Sequence, residues 1–176
     1  MSDPRSITAD AFEILVAREL RKAGLEPIKL HRRAGSLTPG NSGFVFDLVG
    51  RLESYGHRWL VLIECRNRPD NVRAADVAEV RRRAVEAKAA SALLFATTEF
   101  NDDALQAASE SRVALLRVVD AHTALSAAGV IDVAQMPAWM PDFTVQLVWR
   151  EDGPAETVLL QANEPEPLLR RLRPRG

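Results

Sequence analysis

Two apolar runs, GFVFDLVGRL (Gly43 to Leu52) and RWLVLIECRN (Arg58 to Asn67), are separated only by ESYGH, and each carries an acid in its interior. Runs this apolar and this close together read as two strands of one hairpin, with Glu53 to His57 as the connection. An ionised carboxylate inside such a strand is unfavourable unless a metal, a partner charge or strong hydrogen bonds receive it. Asp47 and Glu64 are the two intrusions, and Arg66 follows two residues after the second.

Side chains alternate along a strand, so Phe44, Phe46 and Leu48 share one face and Val45, Asp47 and Val49 the other. In the second run Trp59, Val61, Ile63 and Cys65 oppose Leu60, Leu62, Glu64 and Arg66. A hairpin closing with Leu52 opposite Trp59 sets Asp47 directly across from Glu64. Two carboxylates at that separation need a cation between them. Mg²⁺ suits them, with Mn²⁺ as a substitute, because it takes oxygen ligands and keeps several waters beside one or two carboxylates. Arg66 points to the same side and could hold an anionic group. Metal, carboxylates and a basic side chain together suit phosphodiester hydrolysis. Equally, Asp47 with Arg66 reads as an ion pair tying two strands.

The remaining pattern predicts an α/β protein. Thr8 to Gly24 is an amphipathic helix, with Phe12, Leu15, Val16 and Leu20 at helical spacing. Pro27 opens a short extended piece, Ile28 to Arg32, and the turn-rich AGSLTPGNSG leads to the hairpin. Ala74 to Ala90 is helical, with Val77, Val80, Ala84 and Ala87 as its buried stripe. SALLFATT (Ser91 to Thr98) is a buried strand, Asn101 opens a helix to about Glu110, and RVALLRVVD (Arg112 to Asp120) is a further strand before a short helix, Ala121 to Ala128. Alternation of this kind implies right-handed crossovers in one mixed sheet. Residues 1–128 read as the main domain. Residues 129–176 read as an extension: a hairpin of FTVQLVW and ETVLL, then a short helix from Glu164 to Arg171, packed on or beside the domain as an extra layer or an association surface.

The order of these motifs resembles the PD-(D/E)xK nuclease core, and more narrowly the Mrr-like restriction endonucleases. Phe12-Glu13 to Gly24 is similar to the family's first helix, Gly40 to Asp47 to its Gly-rich approach, and Glu64-Cys65-Arg66 to its Glu-Cys-Lys strand. Thr97-Thr98-Glu99-Phe100 with Ala104 and Ala108 is similar to its later Thr-Thr-x-Phe stretch. The resemblance covers about Thr8 to Leu125 and implies a restriction-endonuclease-like mixed β-sheet flanked by helices, followed here by a C-terminal β-hairpin extension. It implies Mg-dependent hydrolysis of DNA in restriction or repair. Asp47 and Glu64 would be the metal ligands, helped by the backbone carbonyl of Cys65, with Arg66 catalytic and Glu13 near the site.

One departure matters. Arg66 stands where the family has lysine; it stays charged and offers a fixed fork, so it could clamp phosphate but not act as a base. The alternative is therefore a weakened or inactive nuclease-fold module that binds nucleic acid or mediates assembly. On either reading Arg32, Arg33, Arg68, Arg81 and Arg82 are candidates for phosphate contacts, alongside Arg21, Lys22, Lys29 and Arg83, and cutting both strands of a duplex would favour a homodimer. Formal net charge is -1, so only a local positive face could serve this purpose. The single cysteine, Cys65, excludes an internal disulfide. With an N-terminus unlike a signal peptide and no apolar run near the ~20 residues of a membrane span, the expectation is a cytoplasmic protein without a membrane partner. No zinc-type His/Cys cluster or Gly-rich phosphate loop occurs.

Overall fold

The computed structural model describes residues 2–31, 44–54, 57–130, 132, 137–162 and 164–172. Among these residues seven strands form one sheet in sequential order: β1 (Leu25–His31), β2 (Phe44–Ser54), β3 (His57–Asn67), β4 (Ser91–Ala96), β5 (Val113–Asp120), β6 (Phe143–Trp149) and β7 (Glu156–Leu159). Strands β3, β4 and β5 run parallel, and the neighbours on either side are antiparallel. The sheet is mixed, as expected. Its parallel part needs crossovers, and these are α2 (Ala74–Glu86) and α3 (Asp102–Glu110).

Two cores lie on opposite faces of the sheet. On one, Val61, Ile63, Cys65, Leu93, Phe95 and Leu116 pack with Phe12, Val16 and Leu20 of α1 (Ala9–Lys22) and with Leu168, Leu169 and Leu172 of α5 (Glu166–Leu172). On the other, Leu62, Leu94 and Leu115 pack with Val77, Val80 and Ala84 of α2 and with Ala104 and Leu105 of α3. The period-two alternation of β3 and β4 separates the two sets, and both strands are buried on both faces. Each fully buried leucine or phenylalanine contributes roughly 1.5–3 kcal/mol to folding.

Local signals set the element ends. The Ala11 N–H donates to Thr8 Oγ1 at 3.3 Å, capping α1, and Gly24 takes φ +76° just beyond its end. Pro27 lies on β1, an edge strand, where the pairing slips between Pro27 and Lys29. β1 begins at Leu25, ahead of the expected Pro27, because edge pairing tolerates a missing N–H. α2 stops at Glu86, short of the expected Ala90, with Lys88 in the left-handed region at φ 55°. The turn-rich segment 34–43 lies outside the described residues.

The C-terminal hairpin does not form an extra layer. β6 pairs with β5 and so prolongs the main sheet, while α5 joins the α1 face. Arg18 Nη2 of α1 donates to the Phe143 carbonyl at 2.7 Å, so the extension and the first helix are tied directly. The N-terminal segment is bound to the strand ends as well. Buried Asn67 donates from Nδ2 to the Ile7 carbonyl at 3.1 Å and accepts from Thr97 Oγ1 at 2.8 Å.

Asp120 joins three parts of the fold. Its carboxylate accepts from the Thr123 N–H at 2.8 Å, capping α4 (Ala121–Ala127), and from the Ser2 N–H at 2.7 Å. Burial works against the charged form, but these hydrogen bonds hold the carboxyl below its ordinary value of 3.8. Asp120→Ala should lower stability by about 1–2 kcal/mol in urea denaturation at neutral pH. A depressed folded-state pKa adds stability above the ordinary value and loses it as pH falls through the folded one. The gap between wild type and variant should therefore close as the pH drops below 3.8.

Candidate active site

The hairpin register pairs Leu52 with Trp59 and Asp47 with Glu64, as the alternation of the two runs predicts. Both acids project toward the α2 face of the sheet, beside Val49 and Leu62. Glu64 is 0% exposed, and its carboxylate depends on side-chain partners. Arg66, two residues along the same strand, donates to Glu64 Oε1 from Nε at 2.6 Å and lies 2.5 Å from it through Nη2. Its Nη1 pairs with Asp76 in the first turn of α2. Arg68 Nη2 reaches the same Asp76 oxygen at 2.7 Å.

A third arginine completes the cluster. Arg83, in the last turn of α2, donates from Nη1 to Glu64 Oε2 at 2.8 Å and from Nη2 to Asp47 Oδ2. One guanidinium thus spans the two facing carboxylates. Three carboxylates (Asp47, Glu64, Asp76) meet three guanidiniums (Arg66, Arg68, Arg83), and the Glu79 carboxylate acts on Glu64 and Arg66 from nearby. Burial pushes the Glu64 carboxyl above the ordinary carboxylate range, with Arg66 pulling the other way. Burial also works against Asp76. The Arg73 N–H and the Arg68 and Arg66 guanidiniums outweigh it and hold its carboxyl below the ordinary range.

Other expected site residues are placed differently. Glu13 is half-buried on α1, whose apolar stripe packs against the face of the sheet opposite the Asp47–Glu64 pair. Cys65 also points away, into the α1 core, where burial pushes its thiol well up and Glu64 and Glu13 add to the shift. Its main chain lies between β2 and β4, pairing with Phe46 on one side and Phe95 on the other. That setting commits strand carbonyls to ladder bonds. Arg66 pairs with Glu64 and Asp76, so the alternative ion pair between Asp47 and Arg66 is replaced by one between Asp47 and Arg83. Arg82 is engaged by Glu79 at 2.6 Å and by Glu86 on its own helix. Arg81 is half-buried on α2, and Arg32 and Arg33 lie outside the described residues.

Sequence reasoning singled out the Arg81-Arg82-Arg83 run but did not bring Arg83 to the pair, and it missed Asp76. A signal was available. The two positions are seven residues apart, which puts them on one side of α2, flanking the Val77, Val80, Ala84 stripe that faces the sheet.

An oxygen-only donor set fits a hard divalent ion. Asp47 Oδ1 is buried without a hydrogen-bond partner, and Glu64 stands directly opposite. Among the described residues no group of three or more His, Cys, Asp or Glu side chains gathers as a metal site. Asp47 and Glu64 are the two acids that face each other there. Access is from the Asp47, Arg83 and Arg68 side, where exposure is 14%, 20% and 33%, while Glu64 and Arg66 lie behind.

The same geometry predicts unequal arginines. Arg66→Met removes a buried partner of Glu64 and should destabilise the fold by about 3–5 kcal/mol. Arg82→Ala breaks only exposed pairs on one helix and should leave stability almost unchanged. Guanidinium denaturation of the two variants checks the contrast.

No curated protein and no solved structure matches the chain. No helix among the described residues is long and apolar enough to cross a membrane. A family model does match: that of the Mrr-type restriction endonuclease, over residues 4–125. It takes in α1, the hairpin with Asp47 and Glu64, both crossovers and β5. The chain belongs to the Mrr-type restriction endonuclease family, a family of DNA nucleases.

Proposed function

We propose that this protein is a metal-dependent endonuclease that hydrolyses DNA phosphodiester bonds at the Asp47–Glu64 pair. One observation carries the reading: two carboxylates from adjacent strands face each other in register, one with a buried, unpartnered oxygen. Asp47 and Glu64 would hold Mg²⁺ or Mn²⁺. A divalent ion held there supplies polarisation of a phosphoryl oxygen and activation of water. Arg66 fixes the orientation of Glu64 through Oε1 and adds positive charge behind the pair. It cannot shed a proton at neutral pH, so no base role is assigned to it. Arg68, one-third exposed beside the cluster, would contact a DNA phosphate. Cleavage of both strands calls for two such sites, which a symmetric pair of chains would supply.

A second reading has its own support. The lysine position of the family holds Arg66, and its donors are engaged by Glu64 and Asp76. A protein of this kind could bind DNA without cutting it.

Plasmid and linear DNA incubated with Mg²⁺ or Mn²⁺ separate the two. On the first reading the wild type nicks or linearises plasmid, and Asp47→Asn or Glu64→Gln lowers the rate by about 10²-fold or more. Binding that persists with no metal-dependent cleavage would favour the second. On both, log affinity should fall linearly with log salt, by about 0.9 per phosphate contacted.

A further inference from the structure

Arg83 takes the position that the proposed chemistry reserves for a metal. We propose that its guanidinium is an internal occupant of the divalent-ion position, and that ion loading requires Arg83 to withdraw from Asp47 and Glu64. This inference rests on the nuclease reading of that pair.

The two arginines on Glu64 are not equivalent. Arg66 springs from the same strand, is 8% exposed, and directs two nitrogens to Glu64 Oε1 and a third to Asp76. It is the fixed cation. Arg83 arrives from α2, is 20% exposed, and lies on the solvent side of Glu64, with one nitrogen on Glu64 Oε2 at 2.8 Å and another on Asp47 Oδ2. Its long stem ends in a fork whose two arms match the two facing carboxylates.

Charge and shared ligand atoms make the two occupants exclusive. With Arg83 seated, guanidinium nitrogens already cover both oxygens of Glu64 and Oδ2 of Asp47. A divalent ion added beside that guanidinium would meet its positive charge in a largely buried cluster. Withdrawal of Arg83 to water removes that charge and frees Glu64 Oε2 and Asp47 Oδ2. The seated guanidinium also leaves Asp47 Oδ1 buried and unpartnered, so it satisfies the pair incompletely. Such an arrangement keeps the site closed at low metal and opens it as the ion concentration rises.

The test is metal binding by the full chain without DNA, with Mn²⁺ as the probe and free Mn²⁺ followed by electron paramagnetic resonance. Arg83→Gln should bind Mn²⁺ at least about tenfold tighter than wild type, a difference of about 1.4 kcal/mol. The gain should vanish when Asp47→Asn is added. Arg83→Lys keeps a charge but not the fork that spans both acids, and it should give a smaller gain in the same direction. It also serves if the glutamine variant does not fold. Equal or weaker binding by the Arg83 variants would overturn the exchange while leaving the nuclease reading intact. Binding by none of the proteins would overturn both. Binding only after Arg83 is replaced would support exclusion and assign the wild type to the non-cleaving reading.

Discussion

A carboxylate with no solvent exposure, in the interior of a strand paired on both sides, is the constraint around which this molecule is arranged. Glu64 cannot remain charged there without cations at close range, because the energy of an isolated buried charge exceeds what a small domain can absorb. The partners come from two directions. Arg66 follows on the same strand, and Arg83 reaches in from the end of α2. Arg66 is shared in turn with Asp76 at the start of α2, so the helix is clamped to β3 near both of its ends. The clamp explains why the Val77, Val80, Ala84 stripe seats against Leu62 and Leu94 in one orientation.

This arrangement bears on chemistry as much as on stability. Members of the family hydrolyse DNA, and in this chain two acids face each other on adjacent strands. Around the pair, however, arginine replaces lysine, and every acid is matched by a guanidinium. Lysine offers a compact charge that can lose a proton, whereas arginine offers a permanent, planar one that prefers two carboxylate oxygens at once. The facing acids are thereby covered by their own neighbouring side chains.

The C-terminal extension belongs to the same body. β6 continues the sheet past β5, and α5 fills the face that α1 alone leaves incomplete. Arg18 reaching the Phe143 carbonyl is one direct tie, and Leu168 beside Phe12 in a common core is another. The family match ends at residue 125, yet the apolar core does not. The extension thereby fills the face of the sheet opposite the acid pair.

Strand alternation has a period of two, so the two apolar runs by themselves determined which side chains share a face and, through the short connection, which acids meet. Helical spacing did the same for the stripes on α1 and α2, and the caps at Thr8 and Gly24 marked the ends of α1. Those are local consequences of backbone geometry, and the hairpin register, the mixed sheet and its parallel centre follow from them. Only the tertiary structure decided that Glu13 lies across the sheet from the acids, that the tail joins the main sheet, and that Arg83 rather than Arg66 reaches Asp47. Each depends on how a helix or hairpin docks, and a long arginine side chain can bridge positions far apart in the chain. Glu64 and Arg83 are nineteen residues apart and Asp47 and Arg83 thirty-six, distances over which periodicity carries no information and packing alone chooses the partner.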